Sequence, residues 1–234
     1  RTYAQSFSGS SWQVIGNPYA SAINLHNTIK TGTVTDAYYV WDPLIASPPQ
    51  SANGVGAYLP IIYLPGTGYV TAIDPNLPGP SYHPYDIDGT IQSGAAFFMN
   101  FGAAGTLTIN ETDKVAGSNN YQFRHTADQL PQLRAALYLC NADSSLNYLA
   151  DGVLQVFDAS FSNNITALDL PKASNFSENF SIHSAGRLLS IETRKPITVS
   201  DTIFYDFKNK KLGIYQLRFY ASAVCPPGLH GFVE

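Results

Sequence analysis

The strongest constraint on the fold is an alternation of apolar and polar positions with a period of two. In the segment 133–139, leucine and alanine occupy every second position until the turn-forming residues 141–145 interrupt the pattern. Successive side chains of a strand point to opposite faces of a sheet, so this period is typical of strands. Pro131 argues against a helix over 127–139. Further short apolar segments occur in the second half at 153–157, 188–193, 203–207 and 214–224.

The composition supports the same fold class. The chain has 15 Tyr, 13 Phe, 18 Gly and 15 Pro but a single Met, a balance that favours sheets and turns over helices. Strand candidates in the first half are 12–15, 37–41, 57–64, 95–101 and 106–110. Short strands separated by regular turns predict an all-β protein, an antiparallel β-sandwich of jelly-roll or immunoglobulin-like type.

The distribution of Pro and Gly predicts two packed sandwich units. Both residues are dense in the segment 47–89, which we interpret as a long loop region within the first unit. A change in composition near 119–125 places the boundary between a unit at 1–124 and a unit at 125–234.

Charge and hydropathy exclude several classes of protein. Only 13% of the 234 residues are charged and 44% are hydrophobic, the opposite of the balance found in disordered segments. A net charge of −4 and a pI near 5.7 argue against nucleic-acid binding. The longest apolar runs, such as 94–99, are too short to span a bilayer, which predicts no membrane insertion.

The chain carries no recognisable catalytic motif, and we expect a protein without enzymatic activity. No Gly-x-Ser-x-Gly segment occurs, and the histidines lack the spacing of a metal or catalytic motif. We interpret each of the five histidines as a lone residue at the surface or in the packed interior. They are His26, His83, His125, His183 and His230.

A calcium site is the only cofactor interpretation that the sequence offers. Asp86 and Asp88 precede Gly89 as in many calcium loops, and Asp74 lies in the same loop region. A complete EF-hand loop is missing. The alternative is a polar turn that leads into a strand at Ile91.

Tyrosines of the 58–85 segment suggest a carbohydrate-binding surface. Aromatic rings displayed from rigid loops stack on sugar rings, while nearby Asp and Asn side chains bind the hydroxyls. The alternative is that the rings pack beneath their own loop. The five residues are Tyr58, Tyr63, Tyr69, Tyr82 and Tyr85.

Cys140 and Cys225 are the only two cysteines. Two cysteines are too few for a site with four cysteine ligands, and they do not form a Cys-x-x-Cys motif. The remaining alternatives are one long-range disulfide in an oxidising compartment and two buried thiols.

Several sequence segments resemble segments of the surface proteins that Bacteroidetes bacteria export through the type IX secretion system. The first segment is W-Q-V-I-G-N-P-Y-A-S-A-I at 12–23, followed by Y-V-W-D at 39–42 and I-Q-S-G-A-A-F-F at 91–98. Ala20 and Ala95 depart from the Pro and Gln usual there. In the second half, the segments 133–137, 151–152, 157–158, 169–172 and 189–191 follow the order seen in these proteins. The resemblance therefore covers nearly the whole chain and implies a secreted protein located at the bacterial cell surface. Asp201-Thr202-Ile203 resembles the O-glycosylation signal of that phylum, with Thr202 as acceptor.

The resemblance also implies that the chain is truncated, because the relatives continue beyond the equivalent of Glu234 into further strands. The strand candidate over 215–224 is then expected to lack one neighbour. We expect another copy, another protein or a folded-back segment to cover this edge, or Pro226 and Pro227 to blunt it.

These observations lead to one functional hypothesis with two alternatives. The first is a non-catalytic extracellular module that serves as an adhesive or stalk segment of a larger bacterial surface protein. The alternative is a carbohydrate-binding module that uses the loop tyrosines. A minor alternative is an accessory domain of a secreted hydrolase. The expected partners are an extracellular polysaccharide or another surface protein.

Overall fold

Strands form nearly all of the regular structure. A computed structural model describes residues 1–9, 11–43, 45–46, 55–73, 89–116, 130–224 and 230–233. Within these residues, two single-turn 3₁₀ helices, Leu25–Asn27 and Glu111–Asp113, accompany the strands. The all-β class predicted from the sequence is confirmed.

Every predicted segment overlaps a described strand. In chain order the strands are β1 Thr2–Phe7, β2 Ser11–Gly16, β3 Ile23–Asn24, β4 Ile29–Gly32, β5 Ala37–Asp42, β6 Ala57–Leu64, β7 Gly68–Thr71, β8 Thr90–Ile91, β9 Ala96–Phe101, β10 Gly105–Asn110, β11 Gln132–Cys140, β12 Leu146–Phe157, β13 Leu170–Pro171, β14 Asn179–Ser184, β15 Arg187–Arg194, β16 Tyr205–Lys208 and β17 Ile214–Ser222. Strand β6 coincides with the predicted 57–64, whereas strands β1, β3, β4, β7, β8, β13 and β14 lie outside the predicted segments.

The chain forms two compact units. The first comprises Arg1–Trp41, Leu59–Thr71 and His83–Ala127, and the second comprises Asp42–Tyr58, Ala72–Tyr82 and Asp128–Glu234. Each unit therefore contains segments that are distant in the sequence. The predicted domains, 1–124 and 125–234, stay a prediction.

Antiparallel sheets build the first unit. Their strand orders are β1-β10-β4, β2-β9-β5-β6-β7 and β3-β8. Strand β9 shows how the sequence specifies one buried face: Phe97, Met99 and Phe101 are buried, while the residues between them are more exposed. This alternation follows the period of two that defines a half-buried strand.

A single curled sheet builds the second unit. Its strand order is β16-β14-β15-β12-β11-β17, with β13 paired to β15. The pair β12–β15 is parallel and all the other pairs are antiparallel, so the sheet is mixed and forms a half-barrel. Curling brings the two end strands together through aromatic rings. The ring centroids of Phe207 and Tyr215 are 4.9 Å apart, and those of Tyr205 and Phe219 are 6.0 Å apart.

Asp151 of β12 is the centre of a buried polar network in the second unit. Its side chain is fully buried, and its Oδ2 accepts hydrogen bonds from the Phe180 N–H (2.8 Å) and the Asn175 amide (3.2 Å). The Lys172 ammonium lies 2.5 Å from Oδ2 and 2.6 Å from Oδ1, and the Gly152 N–H also donates to Oδ1. A buried charge is tolerated only when it is paired and hydrogen-bonded, which these donors achieve.

We expect Asp151→Ala to lower the free energy of unfolding by about 3–5 kcal/mol, because it leaves the Lys172 charge and two backbone N–H groups buried without their acceptor. Urea unfolding monitored by circular dichroism measures this change. The control is Asp143→Ala, which removes an exposed carboxylate bonded to Ser145 and should leave the unfolding midpoint nearly unchanged. Equal shifts in the two variants would contradict the structural role of Asp151.

Candidate functional site

Five side chains of the first unit form a compact group that combines charged and aromatic chemistry. We call it the His26–Asp36 cluster; its members are His26, Lys30, Asp36, Tyr63 and Tyr69. Asp36 is mostly buried, whereas about half of the His26 side chain is exposed. The cluster therefore has both a buried centre and a solvent-facing side.

Short local structures position these residues. His26 lies in the 3₁₀ helix Leu25–Asn27, whose first turn is capped by Asn24: the Asn24 Oδ1 accepts from the His26 N–H at 2.9 Å. Asn favours this position because its short side chain satisfies an N–H that has no partner within the helix. Tyr63 and Tyr69 lie opposite each other in the antiparallel pair β6–β7. Side chains at paired positions share one face of a sheet, which brings the two rings together.

The Asp36 carboxylate organises the cluster. Its Oδ2 lies 2.6 Å from the His26 Nδ1, and its Oδ1 accepts a hydrogen bond of 2.6 Å from the Tyr69 hydroxyl. The Lys30 Nζ lies 3.5 Å from the same Oδ1. One carboxylate thereby fixes an imidazole, a phenol and an ammonium group.

Lys30 is held by its backbone surroundings as well as by Asp36. Its Nζ donates to the Leu25 carbonyl at 2.6 Å and to the Thr28 carbonyl at 3.3 Å. Burial lowers the pKa of the Lys30 ammonium, and the neighbouring Asp36 carboxylate offsets part of that effect. These contacts tie Lys30 to the 3₁₀ helix that carries His26.

The aromatic rings form a connected layer. The His26 imidazole stacks on the Tyr63 ring at a centroid distance of 4.0 Å, and the Tyr69 ring meets Tyr63 edge-on at 5.4 Å. Tyr69 is buried, so it contributes mainly through its hydroxyl. Tyr63 is half-buried and His26 half-exposed, so these two rings present the cluster to solvent.

The arrangement offers hydrogen-bonding and stacking chemistry. A carboxylate at Nδ1 fixes the orientation of an imidazole and leaves Nε2 to exchange hydrogen bonds with a ligand. The same orientation is used by general bases. Within the described residues, however, no hydroxyl or thiol nucleophile is hydrogen-bonded to the His26 ring. Binding of a polar ligand is the activity that these contacts support directly.

The structure brings together two of the five tyrosines predicted to bind carbohydrate. Tyr63 and Tyr69 belong to the cluster, while Tyr58 belongs to the second unit, where its N–H donates to the Asn175 Oδ1 at 2.9 Å. Tyr82 and Tyr85 lie outside the described residues. The carbohydrate-binding role of all five stays a prediction.

The other predicted site residues lie partly outside the described residues, and their roles stay predictions. Asp74, Asp86 and Asp88 lie outside the described residues, and the described part of the chain contains no group of three potential metal ligands. The predicted O-glycosylation acceptor Thr202 is exposed. Cys140 is buried, its predicted partner Cys225 lies outside the described ranges, and the disulfide stays a prediction.

Sequence reasoning did not recognise His26, Lys30 and Asp36 as a group. His26 was interpreted as a lone histidine because its separation from Asp36 matches no short motif. The two residues meet because β4 and the segment after it lead the chain back towards the 3₁₀ helix. The only local signal was Asn24 at the helix cap, which predicts the turn but not the pairing with Asp36.

Comparison with known proteins identified no relative. No protein-family model matches the chain, and neither the curated proteins nor the solved structures gave a significant match. Among the described residues, no helix is long and apolar enough to cross a membrane.

Substitution of Gly89 tests the packing of the cluster. A Cβ at Gly89 would lie 2.3 Å from the Tyr69 Cε2, and the positive φ of +84° adds strain for any other residue. We expect Gly89→Ala to displace Tyr69 and to lower the free energy of unfolding by about 2–4 kcal/mol. Gly94→Ala is the matched control, because Gly94 also has a positive φ (+73°) but no atom lies within 4 Å of its added Cβ.

Denaturant unfolding and the near-ultraviolet tyrosine spectrum measure the two effects. Gly94→Ala should lower stability by only about 1 kcal/mol and should leave the spectrum unchanged. An equal loss in the two variants would show that the Tyr69 ring is not fixed against Gly89.

Proposed function

We propose that the chain is a non-catalytic extracellular module of a larger bacterial surface protein, in which it serves as an adhesive or stalk segment. The proposal includes its secretion to the cell surface and an architecture of two packed sandwich units. Support comes from the all-β fold, from the low content of charged residues and from the resemblance to exported Bacteroidetes proteins.

The observation that carries the proposal is the use of carboxylates to hold the chain's own turns. The Asp169 Oδ2 accepts from the Thr166 N–H at 2.6 Å, while its Oδ1 accepts from the Thr193 N–H at 2.7 Å. Asp113 accepts from the Asn110 N–H, and Asp201 accepts from the Thr198 N–H. Carboxylates committed to backbone N–H groups are occupied in fixing loops, which suits a module with a mechanical role.

Affinity chromatography tests the stalk interpretation. We expect the purified chain to pass unretained through a panel of insoluble polysaccharides, while circular dichroism and protease resistance show that it is folded. Retention on one polysaccharide, competed by its soluble oligosaccharide, would contradict a purely structural role and favour the second candidate.

The second candidate function is carbohydrate binding at the His26–Asp36 cluster. It is favoured by the stacked, solvent-facing pair His26–Tyr63 beside a carboxylate that fixes the imidazole. Sugar sites combine an aromatic surface for the apolar face of the ring with polar groups for the hydroxyls. An accessory domain of a secreted hydrolase would use the same site to hold the substrate near a separate catalytic domain.

A glycan array followed by substitution tests this candidate. For a glycan that binds, Tyr63→Ala and His26→Ala should each weaken binding by about 1–3 kcal/mol, the usual loss for a contact ring. Tyr3→Ala is the matched control, because Tyr3 is exposed in the same unit but outside the cluster. Unchanged affinity in the two cluster variants would exclude this site even if the chain binds glycans.

A further inference from the structure

The curled sheet of the second unit has a seam where its two end strands face each other. We define the seam by β16 and β17, which are linked by the short turn 209–213. Within the described residues, β16 pairs only with β14 and β17 only with β11. The end strands meet through the ring pairs Tyr205–Phe219 and Phe207–Tyr215 and not through a backbone ladder.

Among the described strands, none pairs with the second backbone edge of β17. In an antiparallel pair, every second residue directs its N–H and C=O away from its partner strand. Strand β17 spans nine residues, and its partner β11 covers one edge along the whole length from Ser222 to Ile214. The other edge of β17 therefore presents a row of backbone donors and acceptors, which is a template for a further strand.

Exposed apolar side chains are concentrated beside this edge. Leu217 and Phe219 of β17 are both exposed, although they lie in a strand of a folded sheet. An exposed apolar patch that is continuous with a sheet edge marks an interaction surface. The exposed large apolar residues of this region are Phe204, Leu212, Ile214, Leu217 and Phe219.

The charge of the seam identifies the kind of partner. Its strands and their turn carry Lys208, Lys210, Lys211 and Arg218. Two carboxylates offset part of this charge: Asp206 lies 3.7 Å from the Lys208 Nζ, and the buried Glu178 lies 3.6 Å from the Lys211 Nζ. The seam is thus basic within a chain of net charge −4. A second copy would bring two seams of the same positive charge together, and like charges that face each other are destabilising. An acidic strand complements the seam and a second copy does not.

We propose that the seam binds an extended segment of a partner protein, which adds as a strand to β17 and carries acidic residues alternating with apolar ones. Backbone hydrogen bonds to β17 hold the segment, its apolar side chains cover the Leu217–Phe219 side, and its carboxylates pair with the lysines of the turn. This inference goes beyond the proposed function, because it concerns the second unit alone and does not require a glycan site.

A strand-forming peptide provides the probe. The probe is an acetylated, amidated peptide in which valine alternates with glutamate and threonine; one control peptide has lysine in place of glutamate, and another has prolines at alternate positions. Fluorescence anisotropy of the labelled peptides with the full chain should show binding of the acidic peptide and at least about tenfold weaker binding of the lysine peptide. The proline peptide, which lacks the N–H groups for a ladder, should not bind.

Charge-reversal variants locate the interaction. The double variant Lys208→Glu, Lys210→Glu should weaken binding of the acidic peptide by roughly tenfold. Lys195 is also an exposed lysine of the second unit but lies outside the seam, so Lys195→Glu is the control and should leave the affinity unchanged. Hydrogen exchange should show increased protection of the β17 amides when the acidic peptide is added.

Three outcomes would overturn the proposal. One is the absence of binding by the acidic peptide, and another is binding that the control Lys195→Glu weakens as much as the double variant does. The third is a dimer in analytical ultracentrifugation whose β17 amides are already protected, since the seam would then be covered by a second copy. A negative glycan array leaves the proposal unaffected, so its failure is distinguishable from that of the carbohydrate-binding candidate.

Discussion

The second unit depends on the way Asp151 is accommodated. Its carboxylate is buried in β12, and its donors come from β12 itself, from the start of β14 and from the segment between β13 and β14. A negative charge at this depth is stable only while all these donors remain in place. The same contacts therefore fix the approach of β14 to the sheet, and through β14 they place β16 at one side of the seam.

The first unit uses a carboxylate in the same manner but closer to solvent. Asp36 contacts an imidazole, a phenol and an ammonium group, and the half-exposed His26 makes the cluster accessible to solvent. We assign different roles to Asp151 and to the His26–Asp36 cluster because Asp151 is fully buried and the cluster is partly exposed. Asp151 maintains the sheet, whereas the His26–Asp36 cluster is arranged so that a ligand can reach it.

Much of the fold follows from patterns that act over a few residues. The period of two over 133–139 and the turn residues that follow it predicted β11, because side-chain alternation and turn chemistry are local properties. The parallel pairing of β12 with β15 and the curl of the sheet were not predicted, since they depend on contacts between distant segments. The pairing of His26 with Asp36 escaped prediction for the same reason: neither residue belongs to a motif, and only the folded chain brings them together.

The pairing of β11 with both β12 and β17 has a consequence for the order of folding. Strands β11 and β12 are close in sequence, so their hairpin closes a short loop and forms early. Strand β17 pairs with the other edge of β11 only after residues 158–222, about 65 further residues, have been made. At typical rates of protein synthesis this interval lasts roughly 3–13 seconds. During that time the nascent hairpin exposes the unpaired edge of β11, which can pair with other chains and aggregate. A chaperone that covers this edge, or faster synthesis, would reduce the risk.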